Sequence, residues 1–336
     1  MATYDTLIAL LHGQVAELTT GAARLAVCPT LGGRVFVEVG GIFAHRLDLE
    51  NVAQPDRPFN NYGGGNFWPA PEGGAFGFNY QGDAWYVQPA INREPFTLIS
   101  AGQDLAVLSK QTQLLNRAGT VLEVAMGREV RLTPAPSWMP RQERTGLISY
   151  TTRDTITVRN TVTTGQALLA AWTLDQFAAT ENTVAFCVVE NPESAINFDF
   201  YEHPGDRITY YPHGFTYRTD GQCRGQLGIR LAAHARCIGC YDLAHGLLCL
   251  RENRNAGTGS YFNIADNEQP AGPYSAADAY SIFNSDPEMA AFELETIGGA
   301  LIEDTRLRGT ELLSATTLAS YAQPAMLEEI VREMLQ

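Results

Sequence analysis

Residues 153–160 read RDTITVRN, and this octet decides the fold class. Ile156 and Val158 alternate with Thr155, Thr157 and Arg159. In an extended chain that spacing puts apolar side chains on one face and polar ones on the other. A period of two built from β-branched residues describes a half-buried strand. The pattern recurs outward in both directions, as RVFVEV (34–39), LAVLSKQ (105–111), LEVAMGREVRL (122–132), INFDFYE (196–202), RITYYPH (207–213), LGIRLA (227–232) and AFELET (291–296). Gly, Pro, Asn and Asp punctuate these runs at short intervals. No alternation of strands with helical patterns appears, which argues against Rossmann and TIM-barrel folds. Residues 134–144, PAPSWMPRQER, hold three prolines and read as a long loop between strands.

Helical spacing is confined to the ends. Leu7, Ile8, Leu10 and Leu11 predict a short helix, with Thr3 or Asp5 as cap and Gly13 as stop. Met326, Leu327, Ile330, Val331, Met334 and Leu335 predict a second helix after Pro324. The expectation is one all-β domain spanning residues 1–336, an antiparallel sandwich or barrel with short terminal helices.

The chain has 336 residues, of which 45% are hydrophobic, enough for a sizeable core. Its formal net charge of −14 argues against nucleic acid as a partner. Lys110 is the only lysine. No apolar run is long enough to span a bilayer, so no membrane partner is expected. The N-terminus lacks a basic region and a cleavage site. A cytoplasmic location is therefore expected, or a secreted or periplasmic one if a leader has been removed. Cys28, Cys187, Cys223, Cys237, Cys240 and Cys249 sit mostly in apolar runs and read as buried thiols.

Candidate chemistry begins at residues 60–80, NNYGGGNFWPAPEGGAFGFNY, with six glycines and two prolines. The segment reads as a loop that brings aromatic faces, backbone amides and one carboxylate to a small polar ligand. Asn66, Trp68, Glu72 and the nearby Trp85 are its ligand candidates; Phe67 and Phe76 could stack beside the tryptophans on a sugar ring. The competing reading is an inter-strand loop whose aromatics plug the sandwich edge.

In AFELET, alternation puts Glu293 and Glu295 on one strand face, with Cβ atoms about 7 Å apart. A solvated strand face is the plain alternative. AWTLDQFAA (171–179) offers Trp172, Asp175 and Gln176 or a core strand. FYEHPGDRITYYPHG (200–214) holds His203 and His213 among aromatic and charged residues, and a histidine suits proton transfer near neutrality. Arg93 follows Asn92 in a turn-like INREP. His234, Cys237, Cys240 and His245 have metal-like spacing, but strand alternation points i and i+3 to opposite faces. No nucleotide, dinucleotide, nucleophile-elbow or HExxH motif occurs, and no cofactor is expected.

The run PEGGAFGF resembles the Leu-His-Gly-Gly-x-x-Gly-Phe motif of the galactose-mutarotase-like superfamily. Pro71, Glu72, Gly73, Gly74, Gly77 and Phe78 fall into it, with Glu72 where the family has histidine. The resemblance covers most of the chain and is to a divergent branch related to aldose 1-epimerases. It implies a β-supersandwich of antiparallel strands that binds a small-molecule carbohydrate. It also implies that Glu295, on a late strand, is the catalytic base. No histidine stands near residues 171–179, where the family has its second. The general acid would then be His203, His213 or a protonated Glu72. Asn66, Trp68, Trp85, Arg93, Asp175 and Glu293 would bind substrate. The alternatives are a non-catalytic carbohydrate-binding protein, a glycosidase- or lyase-like enzyme on the same scaffold, or an interaction protein with an apolar interface. A homodimer is compatible with the sequence.

Overall fold

In a computed structural model describing residues 3–54, 59–260 and 277–336, the chain forms two large sheets with antiparallel pairing. Among the described residues, one sheet has ten strands. Its centre runs Arg34–Val39, Gly64–Ala70, Ala170–Ala178, Ala291–Ile297, Asp278–Asn284 and Gly225–Arg230. The other sheet has eleven and is built around the long strands Arg306–Tyr321, Arg144–Val158 and Val121–Leu132. The octet that opened the sequence reading lies at the end of Arg144–Val158. There Ile156 is buried while Arg153 and Thr157 are exposed, as a period of two requires.

One hydrophobic cluster joins the inner faces of both sheets. Val35, Val37, Phe67, Phe177 and Leu294 come from the first sheet; Val124, Met126, Ile148, Tyr150 and Leu318 come from the second. This inner layer also carries charge. Arg251 of Leu247–Asn253 pairs with Asp175 and donates to the hydroxyls of Thr173, Thr296 and Thr316. Thr296 also shares a hydrogen bond with Ser314, at 2.7 Å. Buried ions persist when paired and hydrogen-bonded, and this arginine is paired and uses both Nη groups as donors, while its Nε has no partner among the described residues.

The terminal helices form as expected. Thr3 caps Tyr4–Leu10 by accepting the Thr6 N–H at 3.1 Å, and Tyr4, Leu7 and Leu11 pack on the outer face of the first sheet beside Phe36. Met326–Leu335 buries Leu327, Ile330, Val331 and Leu335 against the second sheet.

Three local expectations fail. Of residues 196–202 only Ile196–Asn197 are strand, because the Asn197 side chain accepts the Asp199 N–H at 2.9 Å and turns the chain. Residues 60–80 are not one loop, since Gly64–Ala70 is a buried strand. Its glycines and prolines hid it. Gly63 and Gly64 have φ of 83° and 74°, and a Cβ at Gly63 would sit 2.0 Å from the Arg46 carbonyl oxygen. Pro69 is tolerated because Arg34–Val39 meets this strand only at Val35–Gly65, so beyond Gly65 it has one ladder partner. Cys223, expected buried, is exposed; the other five thiols are buried. Among the described residues, no helix is long and apolar enough to cross a membrane.

Candidate functional site

The outer face of the first sheet carries a cavity of about 410 Å³. Strand alternation builds its floor. Trp172, Leu174 and Gln176 point out from Ala170–Ala178 while Thr173, Asp175 and Phe177 point inward. Cross-strand register then aligns neighbours with the same facing: Trp68 opposes Trp172, and Asn66 and Glu295 flank Leu174. Glu293 flanks Gln176, and Phe283 and Gln226 continue the row.

Indole rings form one wall. Trp68 and Trp172 meet edge to face with centroids 6.2 Å apart, and Phe59 meets the Trp85 ring edge-on at 5.0 Å. Edge-to-face packing fixes the rings without sealing their faces against each other. The Trp68 indole N–H is buried and has no hydrogen-bond partner among the described residues.

Three carboxyl groups line the same cavity. Glu295 is 2% exposed. The Trp172 indole N–H donates to its Oε2 at 2.9 Å, and the Gln226 amide reaches the same oxygen at 3.3 Å. Burial pushes the Glu295 carboxyl well above the usual carboxylate range, and the nearby Glu293 and Glu72 charges push the same way. Glu293 accepts from the Gln176 amide at 2.7 Å, and Gln176 in turn accepts from Arg46 at 3.1 Å. Its carboxyl is also raised by burial, against the pull of Gln176 and of Arg224, Arg46 and Arg34.

Glu72 arrives from the 71–78 turn. The Phe78 N–H donates to the Pro71 carbonyl at 3.0 Å, and Asn79 N–H to the Glu72 carbonyl at 3.1 Å. A Cβ at Gly77 would lie 2.6 Å from the Glu72 oxygen, so this turn closes only with glycine there. The Trp85 indole N–H and the Asn79 amide hold Glu72 Oε1, at 3.1 and 3.4 Å.

Eight residues singled out from sequence therefore meet in one cavity: Asn66, Trp68, Glu72, Trp85, Trp172, Gln176, Glu293 and Glu295. Four do not line it. Asp175 lies on the opposite face of its strand, bound to Arg251. Arg93 ends the short helix Pro89–Asn92, while Asn92 clamps the backbone N–H and carbonyl of Asn60. His203 sits in an exposed turn, where its Nδ1 accepts the Gly205 N–H at 3.1 Å. His213 is half-exposed at the edge of the second sheet, 2.9 Å from Glu190. Among the described residues no histidine lines the cavity. Phe67 faces the core and Phe76 stands away from the cavity, with Phe59 in the stacking position instead. Cys237 packs toward the C-terminal helix and Cys240 toward the inter-sheet core, on opposite faces of Cys237–Asp242. Among the described residues no group of His, Cys, Asp and Glu is arranged to hold a metal ion.

Sequence reasoning missed Arg34, Tyr201, Arg224, Gln226 and Phe283. For Arg34 a signal existed: a lone cation inside the apolar run GGRVFVEV. Gln226 and Phe283 carry none until register places them beside Glu295 and Glu293.

Two solved structures share this architecture. A "putative aldose 1-epimerase" from Escherichia coli K12 superposes with a TM-score of 0.52 at 14% identity, over 91% of this chain and 99% of that one. A galactose mutarotase related enzyme from Lactobacillus acidophilus gives 0.52 at 8% identity, over 92% and 98%. The chain thus has the galactose-mutarotase-like β-sandwich fold. No curated protein matches its sequence. Residues 3–302 match the model of the "Family of unknown function (DUF6786)".

Proposed function

Because the chain belongs to that family, whose description assigns no activity, we propose its function from the site. The cavity binds a carbohydrate, and carboxyl groups interconvert the anomers of an aldose. The observation that carries this reading is Glu295, a buried carboxyl held by neutral donors beside Glu72 and three indole rings. Indole faces suit the C–H face of a pyranose, and carboxylates suit its hydroxyls.

The chemistry needs one base and one acid. Like charges in one site resist joint ionisation, and the Glu293 and Glu72 charges add to burial in raising the Glu295 carboxyl. The reactive form is the one in which Glu295 has ionised and Glu72 carries a proton, and there Glu295 takes the proton of the anomeric O1–H. Glu72 gives its proton to the ring oxygen as the C1–O5 bond breaks and the C1=O1 bond forms. The open chain rotates about C1–C2 and recloses by the reverse transfers. A raised pKa makes Glu295 a stronger base than a solvated carboxylate. Glu293, tethered by Gln176, and Asn66 hold hydroxyls.

A second reading has one observation in its favour. With no histidine among the described lining residues, the site fits a carbohydrate receptor that performs no chemistry. NMR exchange spectroscopy across a panel of aldoses separates the two. The enzyme reading expects accelerated α/β exchange for one sugar, lost by roughly 10²–10⁴-fold in Glu295→Gln with binding retained. Binding without acceleration selects the receptor.

A further inference from the structure

Arg34 lies at the start of Arg34–Val39, one position before inward-facing Val35, so alternation turns it to the cavity side. It is 2% exposed. Its Nε donates to the Gly63 carbonyl at 3.0 Å, its Nη1 to the Leu31 carbonyl at 2.7 Å, and its plane lies over the Tyr62 ring at 4.8 Å. These contacts fix the fork and, among the described residues, leave Nη2 without a protein acceptor. Among the described residues, Arg34 makes no ion pair. The other two buried arginines each have a carboxylate, Asp154 for Arg128 and Asp175 for Arg251.

A buried guanidinium without a counter-charge is costly, and burial pulls its pKa down to about 10. Glu293 attracts it weakly from across the cavity, but that carboxyl is bound to Gln176 and itself raised by burial. A second guanidinium, Arg224, lines the opposite side of the cavity beyond Glu293, stacked on Phe283 at 5.2 Å, donating to the Tyr201 hydroxyl at 3.2 Å and 3.9 Å from Asp286. Unlike Arg34, Arg224 therefore has a carboxylate within ion-pair distance.

We propose that Arg34 is a specificity residue that receives an anionic group carried by the sugar, a carboxylate or a phosphate. This rests on the carbohydrate reading above. A guanidinium held rigid and dry gives an oxyanion charge-assisted hydrogen bonds without ordering cost. A neutral hydroxyl offers it much less. The ligand would supply the counter-charge that the protein withholds.

Calorimetric titration with glucose, glucuronate and glucose 6-phosphate tests this, with Arg34→Gln and Arg34→Lys as variants. The parent is expected to bind at least one anionic sugar at least about tenfold more tightly than glucose. Preference for glucuronate assigns a carboxylate, and preference for the phosphate assigns that group. Arg34→Gln is expected to bring the ratio close to one while glucose binding persists. If Arg34→Gln fails to fold, Arg34→Lys carries the test, and a severalfold fall in the ratio is expected. Glucose bound as tightly as either anion overturns the proposal and leaves the carbohydrate reading standing. A ratio that survives both substitutions also overturns it. Binding of no sugar at all removes both readings together.

Discussion

The two faces of the first sheet handle buried acid in opposite ways. On the inner face, Asp175 meets a full cation in Arg251, which also donates to three threonine hydroxyls. On the outer face, one strand over, Glu295 meets only the neutral donors Trp172 and Gln226. Register makes the contrast close, because Asp175 pairs with Leu294 and Leu174 with Glu295 on the same two strands. An arginine partner satisfies a carboxylate and removes it from chemistry. Neutral donors orient a carboxyl and leave its proton free to move. The inner face holds the sandwich together, and the outer face presents a carboxyl with no cation bound to it toward the cavity.

Removing the inner cation is the largest blow to this contrast. Arg251→Met leaves Asp175 buried without its partner and is expected to cost about 3–5 kcal/mol. Urea unfolding measures it, and a loss near zero would mean that the ion pair is not what organises the layer. Next in size is Thr296→Val, which keeps shape and deletes a hydroxyl shared by Arg251, Thr173 and Ser314. The expected loss is about 1–3 kcal/mol in the same assay. The smallest effect is on the outer face, where the sign matters more than the size. Native Glu295 keeps its proton to higher pH than the unfolded chain, whose carboxyl titrates near 4.5. Between those values the native state holds more protons, so the Glu295 contribution to stability falls as pH rises. Glu295→Gln is therefore expected to flatten the decline of stability with pH, gaining on the parent toward neutral and alkaline pH. A variant that instead loses ground as pH rises would contradict a raised carboxyl at this position.

Much of this was legible before any coordinates, and the exceptions share a cause. Period-two runs gave Arg34–Val39, Val121–Leu132 and Ala291–Ile297 because each has enough β-branched or apolar residues to mark a face. The pairing of Glu293 with Glu295 followed from the same arithmetic. Gly64–Ala70 was hidden because its identity as a strand comes from neighbours, not from its glycines and proline. The family resemblance places Asp175 at the ligand, although alternation from Trp172 already turns it inward. His203 and His213 drew interest for their chemistry alone, and the folded chain uses them in turns. Arg251 and Arg34 were readable as lone cations in apolar runs, but only tertiary contact separates the paired one from the unpaired one.

The tryptophans have a consequence beyond ligand contact. Of the chain's four, Trp68, Trp85 and Trp172 line the cavity, and Trp138 stands apart on an exposed loop. Indole emission depends on the polarity around the ring and on nearby proton donors. Most of the intrinsic fluorescence of this molecule therefore originates within a few ångströms of Glu72 and Glu295. Filling or protonating the cavity should be visible as a change of colour and intensity without any label, with Trp138 as an internal reference.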